Sequence, residues 1–236
     1  MSAGISCGSA PQHVIVGTMT TVRPDVVFAA DRALYVATSN PGKLSEFRRA
    51  ANQYGISIEA LPNLAEIPAP DEDGISFEEN ARIKAAAYSL HAPGRLVFGD
   101  DSGLEVDALD GAPGVYSARY AASASDSNPS DSDNNYKLLY ELEQRRGAER
   151  SARFVCVIAV GLNGEILATF RGSVEGEILL APLGHGGFGY DPLFYVPRLR
   201  KTMAELEADD KTAISHRGQA FRELLAWVRN LPASSS

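Results

Sequence analysis

Short apolar runs divide the chain into predicted strands. The runs 33–38 and 96–98 are almost wholly apolar, while 56–61 alternates apolar with polar positions. The longest run, 152–160, is nearly all apolar and rich in β-branched residues, which predicts a strand that is buried on both faces. These runs together predict a sheet with a sizeable core.

A turn signal shows how the sheet continues after its longest strand. Asn163-Gly164 is typical of a tight β-hairpin, so we predict that 165–172 is the antiparallel partner of the preceding strand. A further short strand is predicted at 193–196. An antiparallel pair makes the sheet mixed rather than purely parallel. The predicted fold class is therefore α/β, with a mixed twisted sheet and flanking helices.

Helices are predicted where apolar residues recur at three- and four-residue spacing. Asn40 suits the N-cap and Pro41 the first position of a helix that runs to about Tyr54. Ser76 and Glu79 form a capping-box pattern at the start of the second helix. The predicted helical segments are 41–54, 77–90, a segment ending near 146, a short turn at 203–207 and a last helix from 215. The predicted loops are 62–73 and 123–133, with a rigid corner at 111–114.

Two adjacent carboxylates follow the apolar run 96–98 and form the first candidate for chemistry. We expect the strand to end on Asp100 and Asp101, where unpaired carboxylates would be costly. A divalent cation is the commonest partner for such hard oxygen ligands, although the same residues also suit a turn cap. In an extended strand the two side chains point to opposite faces. One metal can therefore use both only if the strand breaks at Ser102-Gly103.

Cations stand in the first turns of two predicted helices, where the helix dipole disfavours them. Lys43 follows the polar turn 39–42, whose free backbone N–H groups would form an anion site. His216 and Arg217 open the last helix, with Lys211 just upstream. A bound anion or a buried carboxylate would compensate these charges. For Lys43 the alternative is a solvated lysine on a capped helix.

The second predicted helix carries Asn80 and Lys84, which share one face because they are four residues apart. They are either a functional pair or an ordinary surface pair. The loop before this helix is rich in carboxylates, most of them expected to be solvated, and one of them could reach a metal. These carboxylates are Glu66, Asp71, Glu72 and Asp73.

Glycines and aromatic residues are interleaved in the stretch PLGHGGFGYDP at 182–192. Three of the glycines match G-x-G-x-x-G, but a dinucleotide site requires a helix to follow, and Tyr190-Asp-Pro192 disfavours one. The glycines instead indicate a backbone that passes close to a flat or bulky group. Phe188 and Tyr190 could stack on a nucleotide base, or at least one of them belongs to the core.

Composition excludes several classes of function. The 236 residues carry a formal net charge of −8, so a general nucleic-acid binder is not expected. No apolar run approaches about 20 residues, and no membrane span is predicted. Cys156 lies in an apolar run far from Cys7, which predicts an inert buried thiol and a reducing compartment. Residues 1–33 lack a signal-peptide pattern and are predicted to be a poorly ordered extension, and 232–236 a disordered tail.

Six stretches together resemble the non-canonical purine nucleoside triphosphate pyrophosphatases, also called inosine triphosphate pyrophosphatases. In the family's order they are Thr38-Ser-Asn-Pro-Gly-Lys43, Ser76-Phe-Glu-Glu-Asn-Ala81 with Lys84, Asp100-Asp-Ser-Gly-Leu104, Gly111-Ala-Pro-Gly114 with Ser117-Ala-Arg119, Gly187-Phe-Gly-Tyr-Asp-Pro192, and Lys211 with Ser215-His-Arg-Gly218. Each stretch alone is weak evidence, but six in the same order are very hard to obtain by chance. The resemblance covers 34–231, which we take as one catalytic domain.

The resemblance implies a fold, a reaction and a cofactor. The implied fold is α/β in two lobes, with the active site in the cleft between them. Members of the family are cytoplasmic homodimers that require magnesium. They hydrolyse inosine, deoxyinosine and xanthosine triphosphates to the monophosphate and pyrophosphate, which clears deaminated purines from the nucleotide pool.

The resemblance also assigns roles to individual residues. Asp101 is implied as proton acceptor and magnesium ligand, Glu72 as the other metal-binding acid, and Asp100 is expected to lie behind Asp101. Lys84, with Asn80 on the same helical face, is implied as a second phosphate contact. The implied triphosphate cradle comprises Thr38, Ser39, Asn40, Pro41, Gly42 and Lys43, with Ser102 also contacting substrate. The implied base pocket comprises Phe188, Gly189, Tyr190, Asp191, Lys211, His216 and Arg217, with Phe188 as the stacking partner.

Three other interpretations stay open on the sequence. The chain could be a related pyrophosphatase that acts on modified pyrimidine triphosphates or on the standard ones. It could be a nucleotide-binding sensor without turnover, although a sensor would not need the base Asp101. A serine hydrolase using Ser102 is disfavoured, because a G-x-S-x-G elbow is missing and the neighbouring aspartates suit a metal better.

Overall fold

A computed structural model of the protein describes residues 33–123, 128–145 and 147–232. The strands in these residues are β1 (Ala33–Val36), β2 (Ser57–Ala60), β3 (Val97–Val106), β4 (Ser151–Leu162), β5 (Glu165–Ile178), β6 (Phe194–Val196) and β7 (Lys201–Thr202). The helices are α1 (Pro41–Ala51), α2 (Phe77–Ser89), α3 (Asp131–Gln144), α4 (Ala208–Ile214) and α5 (His216–Arg229).

The strands form one open sheet of seven strands in the order β2-β1-β3-β4-β5-β6-β7. β1 is parallel to both β2 and β3, whereas every pair from β3 to β7 is antiparallel. The predicted α/β fold with a mixed sheet and flanking helices is confirmed. The predicted hairpin at Asn163-Gly164 joins β4 to β5.

Capping side chains define where the main helices begin. Asn40 accepts hydrogen bonds from two backbone N–H groups of α1, and Ser76 caps α2, as the sequence predicts. Ser215 caps α5 in the same way. Ser130 forms a complete capping box with Asp133, so α3 begins at Asp131, inside the stretch predicted as a loop.

Two hydrophobic cores lie on one face of the sheet, towards opposite ends of its long central strands. The first lies under α1 and α5, where the rings of Phe47, Phe98 and Phe221 have centroids 4.9 to 5.6 Å apart. The second is formed with α3 and includes Phe154 and Phe194, with ring centroids 4.3 Å apart. These cores correspond to the two predicted lobes. α2 covers the other face of the sheet.

Two predicted strand ends are wrong, and one short helix was not predicted. β3 does not end at the two aspartates, because each residue from Val97 to Val106 pairs with β4 and the strand stays extended. β5 continues to Ile178, beyond the predicted end at 172. α4 follows the predicted turn at 203–207 and has no counterpart among the predictions.

The predicted extension at residues 1–33 and the tail at 232–236 lie almost wholly outside the described residues, although Ala33 is the first residue of β1. In the described part of the chain, none of the helices combines the length and the apolar character that a membrane span requires.

Candidate active site

The site residues predicted from the sequence gather around one cleft of about 1010 Å³. All of them line it except Pro41, Gly42 and Asn80. β1 pairs with β3 only as far as Phe98, so β3 runs past the end of its neighbour. Asp100 and Asp101 therefore stand at a free stretch of strand edge, and side chains from both faces of the sheet can reach the cleft.

Asp101 projects from β3 towards α2, where three side chains meet. Lys84 Nζ lies 3.2 Å from Asp101 Oδ1 and 2.8 Å from Glu72 Oε2. Asn80 Nδ2 donates to Asp101 Oδ2 at 3.2 Å. Helix and strand approach closely because β3 has glycine at position 99, where a Cβ would lie 2.8 Å from Lys84 Cβ.

Asn80 also connects the acidic loop to this group. Its Oδ1 accepts from the backbone N–H of Gly74 at 2.9 Å, while its Nδ2 binds Asp101. Since one amide holds both, the loop that carries Glu72 is fixed relative to Asp101. The predicted sharing of one helical face by Asn80 and Lys84 is consistent with this geometry, in which both side chains contact Asp101.

The ionisation states of this group follow from burial and charge. Burial raises the pKa of Asp101, and its neighbour Asp100 adds to this effect, although Lys84 and Asn80 act against it. Burial alone would lower the pKa of Lys84, but the carboxylates of Asp101, Asp100 and Glu72 raise it above its ordinary value. Lys84 therefore stays an ammonium ion, while Asp101 is an unusually basic carboxylate.

The residues present fit a divalent cation of the magnesium type. The carboxylates of Glu72 and Asp101 converge, since each has an oxygen that contacts Lys84 Nζ. Among the described residues there is no group of three or more His, Cys, Asp or Glu side chains that could hold a metal by themselves. Magnesium usually takes only one or two protein carboxylates and completes its octahedron with water and substrate phosphates, so two carboxylates are enough.

Asp100 projects to the opposite face and is buried among cations. Lys43 Nζ lies 2.8 Å from its Oδ2, and Arg217 Nε lies 3.8 Å away. Burial alone would raise the pKa of Asp100, but Lys43, Arg217 and Lys84 together hold it at about 2. Asp100 is therefore a permanent anion beneath the two helix N-termini, and it lines the cleft beside Asp101.

Carboxylates compensate the three lysines and the arginine that the sequence singled out. Lys211 Nζ lies 2.9 Å from Glu46 Oε1 and 2.6 Å from Asp191 Oδ2, and Arg217 pairs with Glu46 as well as Asp100. Four cations thus contact five carboxylates, which are Glu46, Glu72, Asp100, Asp101 and Asp191. Because these charges balance to a slight negative excess, a triphosphate needs a further positive charge to bind here.

The turn before α1 differs from the predicted anion cradle in one respect. The backbone N–H groups of Gly42 and Lys43 are not free, because both donate to Asn40 Oδ1, at 2.9 and 3.1 Å. Asn40 N–H donates to Thr38 Oγ1 at 3.2 Å. The groups that this turn offers to an anion are therefore the side chains of Thr38, Ser39 and Lys43, which line the cleft.

The aromatic residues of 182–192 have separate positions. Tyr190 is buried and its hydroxyl donates to the backbone carbonyl of Ser117 at 2.8 Å, so its ring belongs to the core. Phe188 is half-buried at the cleft, with Lys211 Nζ 4.7 Å and Arg217 Cζ 5.5 Å from its ring centroid. A Cβ on Gly42 would lie 3.0 Å from this ring, so glycine there lets α1 meet the ring without displacing it.

His216 is a neutral imidazole at the same end of the cleft. Burial, Arg217 and Lys211 lower its pKa well below the ordinary value. Its ring stacks on Phe154, with centroids 4.9 Å apart and planes 20° apart. Its Nδ1 is buried and has no hydrogen-bond partner among the described residues. A ligand group could satisfy this atom.

Two residues of the site were missed by the sequence interpretation. Glu46 pairs with Lys211 and Arg217, and it lies three residues after Lys43 on α1, so helical spacing alone could have placed it on the cleft face. Phe154 lines the cleft from β4, and nothing in its sequence neighbourhood distinguishes it from other core residues of that strand.

A sequence model of the Ham1 family matches residues 34–227. This chain belongs to the Ham1 family. It is 53% identical over 196 residues to the dITP/XTP pyrophosphatase of Acidobacterium capsulatum, a match that covers 82% of this chain and 96% of that protein. It is 46% identical over 197 residues to the dITP/XTP pyrophosphatase of Thermus thermophilus, covering 84% of this chain and 92% of the relative.

Solved structures agree with the Ham1 assignment. A HAM1 protein from Coxiella burnetii superposes with a TM-score of 0.74 at 39% identity, covering 84% of this chain and 98% of that one. The Ham1 protein of Staphylococcus aureus gives a TM-score of 0.71 at 41% identity, with the same coverage of 84% and 98%. The family resemblance predicted from six short stretches of sequence is therefore confirmed.

Proposed function

We propose that this protein is a magnesium-dependent nucleoside triphosphate pyrophosphatase that converts dITP, XTP and ITP to the monophosphate and pyrophosphate. The observation that carries the proposal is the group of Glu72, Lys84 and Asp101 at the end of β1. In it, a buried carboxylate of raised pKa stands beside a second carboxylate and a permanent cation. Relatives of about half-identical sequence that are named dITP/XTP pyrophosphatases support the same reaction.

Asp101 acts as the general base in this proposal. It takes the proton from the water that attacks the α-phosphorus in line with the leaving pyrophosphate, a role that suits a carboxylate of raised pKa. Asn80 orients it through the hydrogen bond to Oδ2. Glu72 and Asp101 would hold Mg²⁺, which when bound supplies the positive charge that the cleft lacks and stabilises charge on the phosphates.

The cations of the cleft hold the triphosphate by exchanging partners. Lys84 and Lys43 are paired with carboxylates in the unliganded protein, at 2.8 Å to Glu72 and 2.8 Å to Asp100. Phosphate oxygens compete for these ammonium groups, and the hydroxyls of Thr38 and Ser39 beside Lys43 add hydrogen bonds. Asp100, held at a pKa of about 2, keeps Lys43 in place before substrate arrives.

The base lies at the other end of the cleft, where Phe188 is the stacking partner. A purine with an oxygen at position 6 accepts a hydrogen bond there, so a donor in this pocket favours hypoxanthine and xanthine over adenine. Lys211 and Arg217 lie against the Phe188 ring and supply such donors. Guanine shares the 6-oxo group and must be rejected at its 2-amino group.

The family resemblance supports the remaining elements of the proposal. The protein acts as a cytoplasmic homodimer on purine nucleoside triphosphates. Nucleic acids are not its substrates, which agrees with the formal net charge of −8.

A substrate panel tests the proposal. Purified protein with Mg²⁺ is given dITP, XTP, ITP, GTP, dUTP and a methylated pyrimidine triphosphate, and the products are separated. We expect monophosphate and pyrophosphate, with kcat/KM for dITP and XTP about 10² above that for GTP. Diphosphate with orthophosphate would overturn the reaction. Preference for a pyrimidine triphosphate would indicate the related pyrophosphatase that acts on modified pyrimidine nucleotides. Tight binding of ITP without product would indicate a nucleotide sensor.

A further inference from the structure

The residue after the stacking ring is held at both of its backbone groups by one helix. Gly189 N–H donates to Asp131 Oδ2 at 2.6 Å, and Gly189 C=O accepts from Asn135 Nδ2 at 3.0 Å. Asp131 and Asn135 are four residues apart on α3, so they share a helical face. The contacts join segments that are 58 and 54 positions apart in the sequence.

The neighbours of Gly189 are anchored as well, which leaves the Phe188 ring as the part presented to the cleft. Phe188 N–H donates to Asp191 Oδ2 at 2.9 Å, and the Tyr190 hydroxyl is bonded to Ser117. Gly189 itself has φ of +63°, a conformation that favours glycine. The position of the ring is thus set by three consecutive residues, each of which is held by hydrogen bonds.

Asp131 and Asn135 of α3 connect the lobe around the second hydrophobic core to residues that contact α1 in the other lobe. The Phe188 ring meets Gly42 of α1, which belongs to the triphosphate cradle, and lies beside Lys211. α3 packs its apolar residues into the other core. The distance between the ring and the triphosphate cradle therefore depends on where α3 holds Gly189.

The environment of Asn135 indicates that the role of its amide is this contact with Gly189. Its Nδ2 binds Gly189, but its Oδ1 is buried and has no partner among the described residues. A buried polar atom without a partner is unfavourable, so packing alone does not explain an amide at this position. Asp131 is exposed and lines the cleft, so its carboxylate is not needed to fill a core.

We propose that Asp131 and Asn135 are positioning residues for nucleotide recognition, which hold Gly189 and thereby fix the Phe188 ring at its stacking distance from the base. The inference rests on the proposed function, because it requires a base to stack on Phe188. The side chains that contact Asp101 are Lys84 and Asn80 of α2, so Asp131 and Asn135 act on binding of the base and not on the chemical step.

Kinetics of Asp131→Ala and Asn135→Ala test the inference. Each variant is expected to raise KM for dITP by roughly five- to tenfold and to leave kcat within about twofold. Inorganic tripolyphosphate, which probes only the phosphate end, should inhibit both variants with the wild-type inhibition constant. Asp131→Asn keeps an acceptor for Gly189 N–H, so it should restore KM to within about twofold of wild type.

Ser132→Ala is the matched control, because it changes the same turn of α3 at a side chain that has no hydrogen bond to Gly189 within the described structure. The double variant Asp131→Ala with Asn135→Ala should raise KM by less than the product of the single effects, since both act on one residue. Melting curves of all variants report folding.

Four results would overturn the inference: unchanged KM in both alanine variants, loss in kcat instead, equal weakening of tripolyphosphate inhibition, or an Asp131→Asn variant that behaves like Asp131→Ala. The proposed function fails separately. If the wild-type protein does not turn over dITP, the proposed function is wrong and this inference falls with it. If the wild type is active and the alanine variants keep its KM, only the inference is wrong.

Discussion

Asp101→Asn is expected to lower kcat for dITP by at least about a thousandfold and to leave the protein folded. An amide cannot accept the proton of the attacking water, and a positioned base contributes about 10² to 10⁴ to such reactions. The variant also loses a carboxylate that binds Mg²⁺ in the proposed site. Steady-state kinetics at saturating Mg²⁺, with a thermal melt of the same sample, measures both effects.

The stability of this variant follows from the pKa of the carboxyl group. Burial raises the pKa of Asp101, which means that folding disfavours its charged form at neutral pH. Asparagine has the same shape without the charge, and Lys84 keeps Glu72 as a partner. The melting temperature should therefore equal or slightly exceed that of the wild type.

The control for this variant is Asp110→Asn, which removes one negative charge from an exposed residue after β3. It should retain wild-type kcat and melting temperature. If Asp101→Asn keeps more than a tenth of the activity, Asp101 is not the general base. If Asp101→Asn melts far below the control, Asp101 has a structural role, and the loss of activity is not evidence that it is the general base.

Asp100→Asn is expected to have the opposite phenotype, a large loss of stability. Its carboxylate is 2% exposed and faces Lys43 and Arg217. Removing one partner of a buried ion pair costs about 3 to 5 kcal/mol, and the lower end applies because Glu46 still neutralises Arg217. A loss of about 3 kcal/mol corresponds to a fall of roughly 6 to 12 °C in melting temperature for a protein of this size.

The same carboxylate gives a pH dependence that can be measured in the wild type. Its pKa is about 2 in the folded protein against an ordinary value of 3.8. A depressed pKa contributes stability that is fully present above the ordinary value and is lost as the pH falls towards 2. The contribution is about 2 kcal/mol. Urea unfolding measures the free energy of unfolding of the wild type and of Asp100→Asn between pH 5 and pH 2. The difference between the two values should become smaller as the pH falls.

Comparison of the two aspartate variants tests whether Asp100 serves stability and Asp101 serves catalysis. The expected pattern is an inactive, stable Asp101→Asn and a destabilised Asp100→Asn. A variant of Asp100 that melts like the wild type would show that Lys43 and Arg217 do not need it. A greater loss of stability in Asp101→Asn than in Asp100→Asn would reverse the roles assigned to them.

Local patterns in the sequence were sufficient to predict most of the fold. The caps Asn40 and Ser76 place the starts of α1 and α2, and Asn163-Gly164 places the β4–β5 hairpin. Each is a short-range signal that needs no knowledge of the rest of the chain. The end of β3 could not be predicted in this way, because Asp100 and Asp101 stay in the strand only through pairing with β4.

The site was predictable as a set of residues but not as a set of charges. The six family stretches contain all of the predicted site residues except Glu72. What they do not contain is Glu46, which lies outside the quoted stretches and neutralises Lys211 and Arg217. The pairing of Lys43 with Asp100, the pairing of Lys211 and Arg217 with Glu46, and the hydrogen bonds between α3 and Gly189 depend on contacts across more than 50 residues. Only the folded structure reveals them.

Hydrolysis of dITP in water enriched in heavy oxygen tests the central claim most directly, since it reports which phosphorus the water attacks. If Asp101 directs water to the α-phosphorus, mass spectrometry will find the label in dIMP and none in pyrophosphate. Label in pyrophosphate would place the attack on the β-phosphorus, and label in orthophosphate would place it on the γ-phosphorus. Either result would contradict the arrangement of Asp101, Glu72 and Lys84 proposed for the reaction.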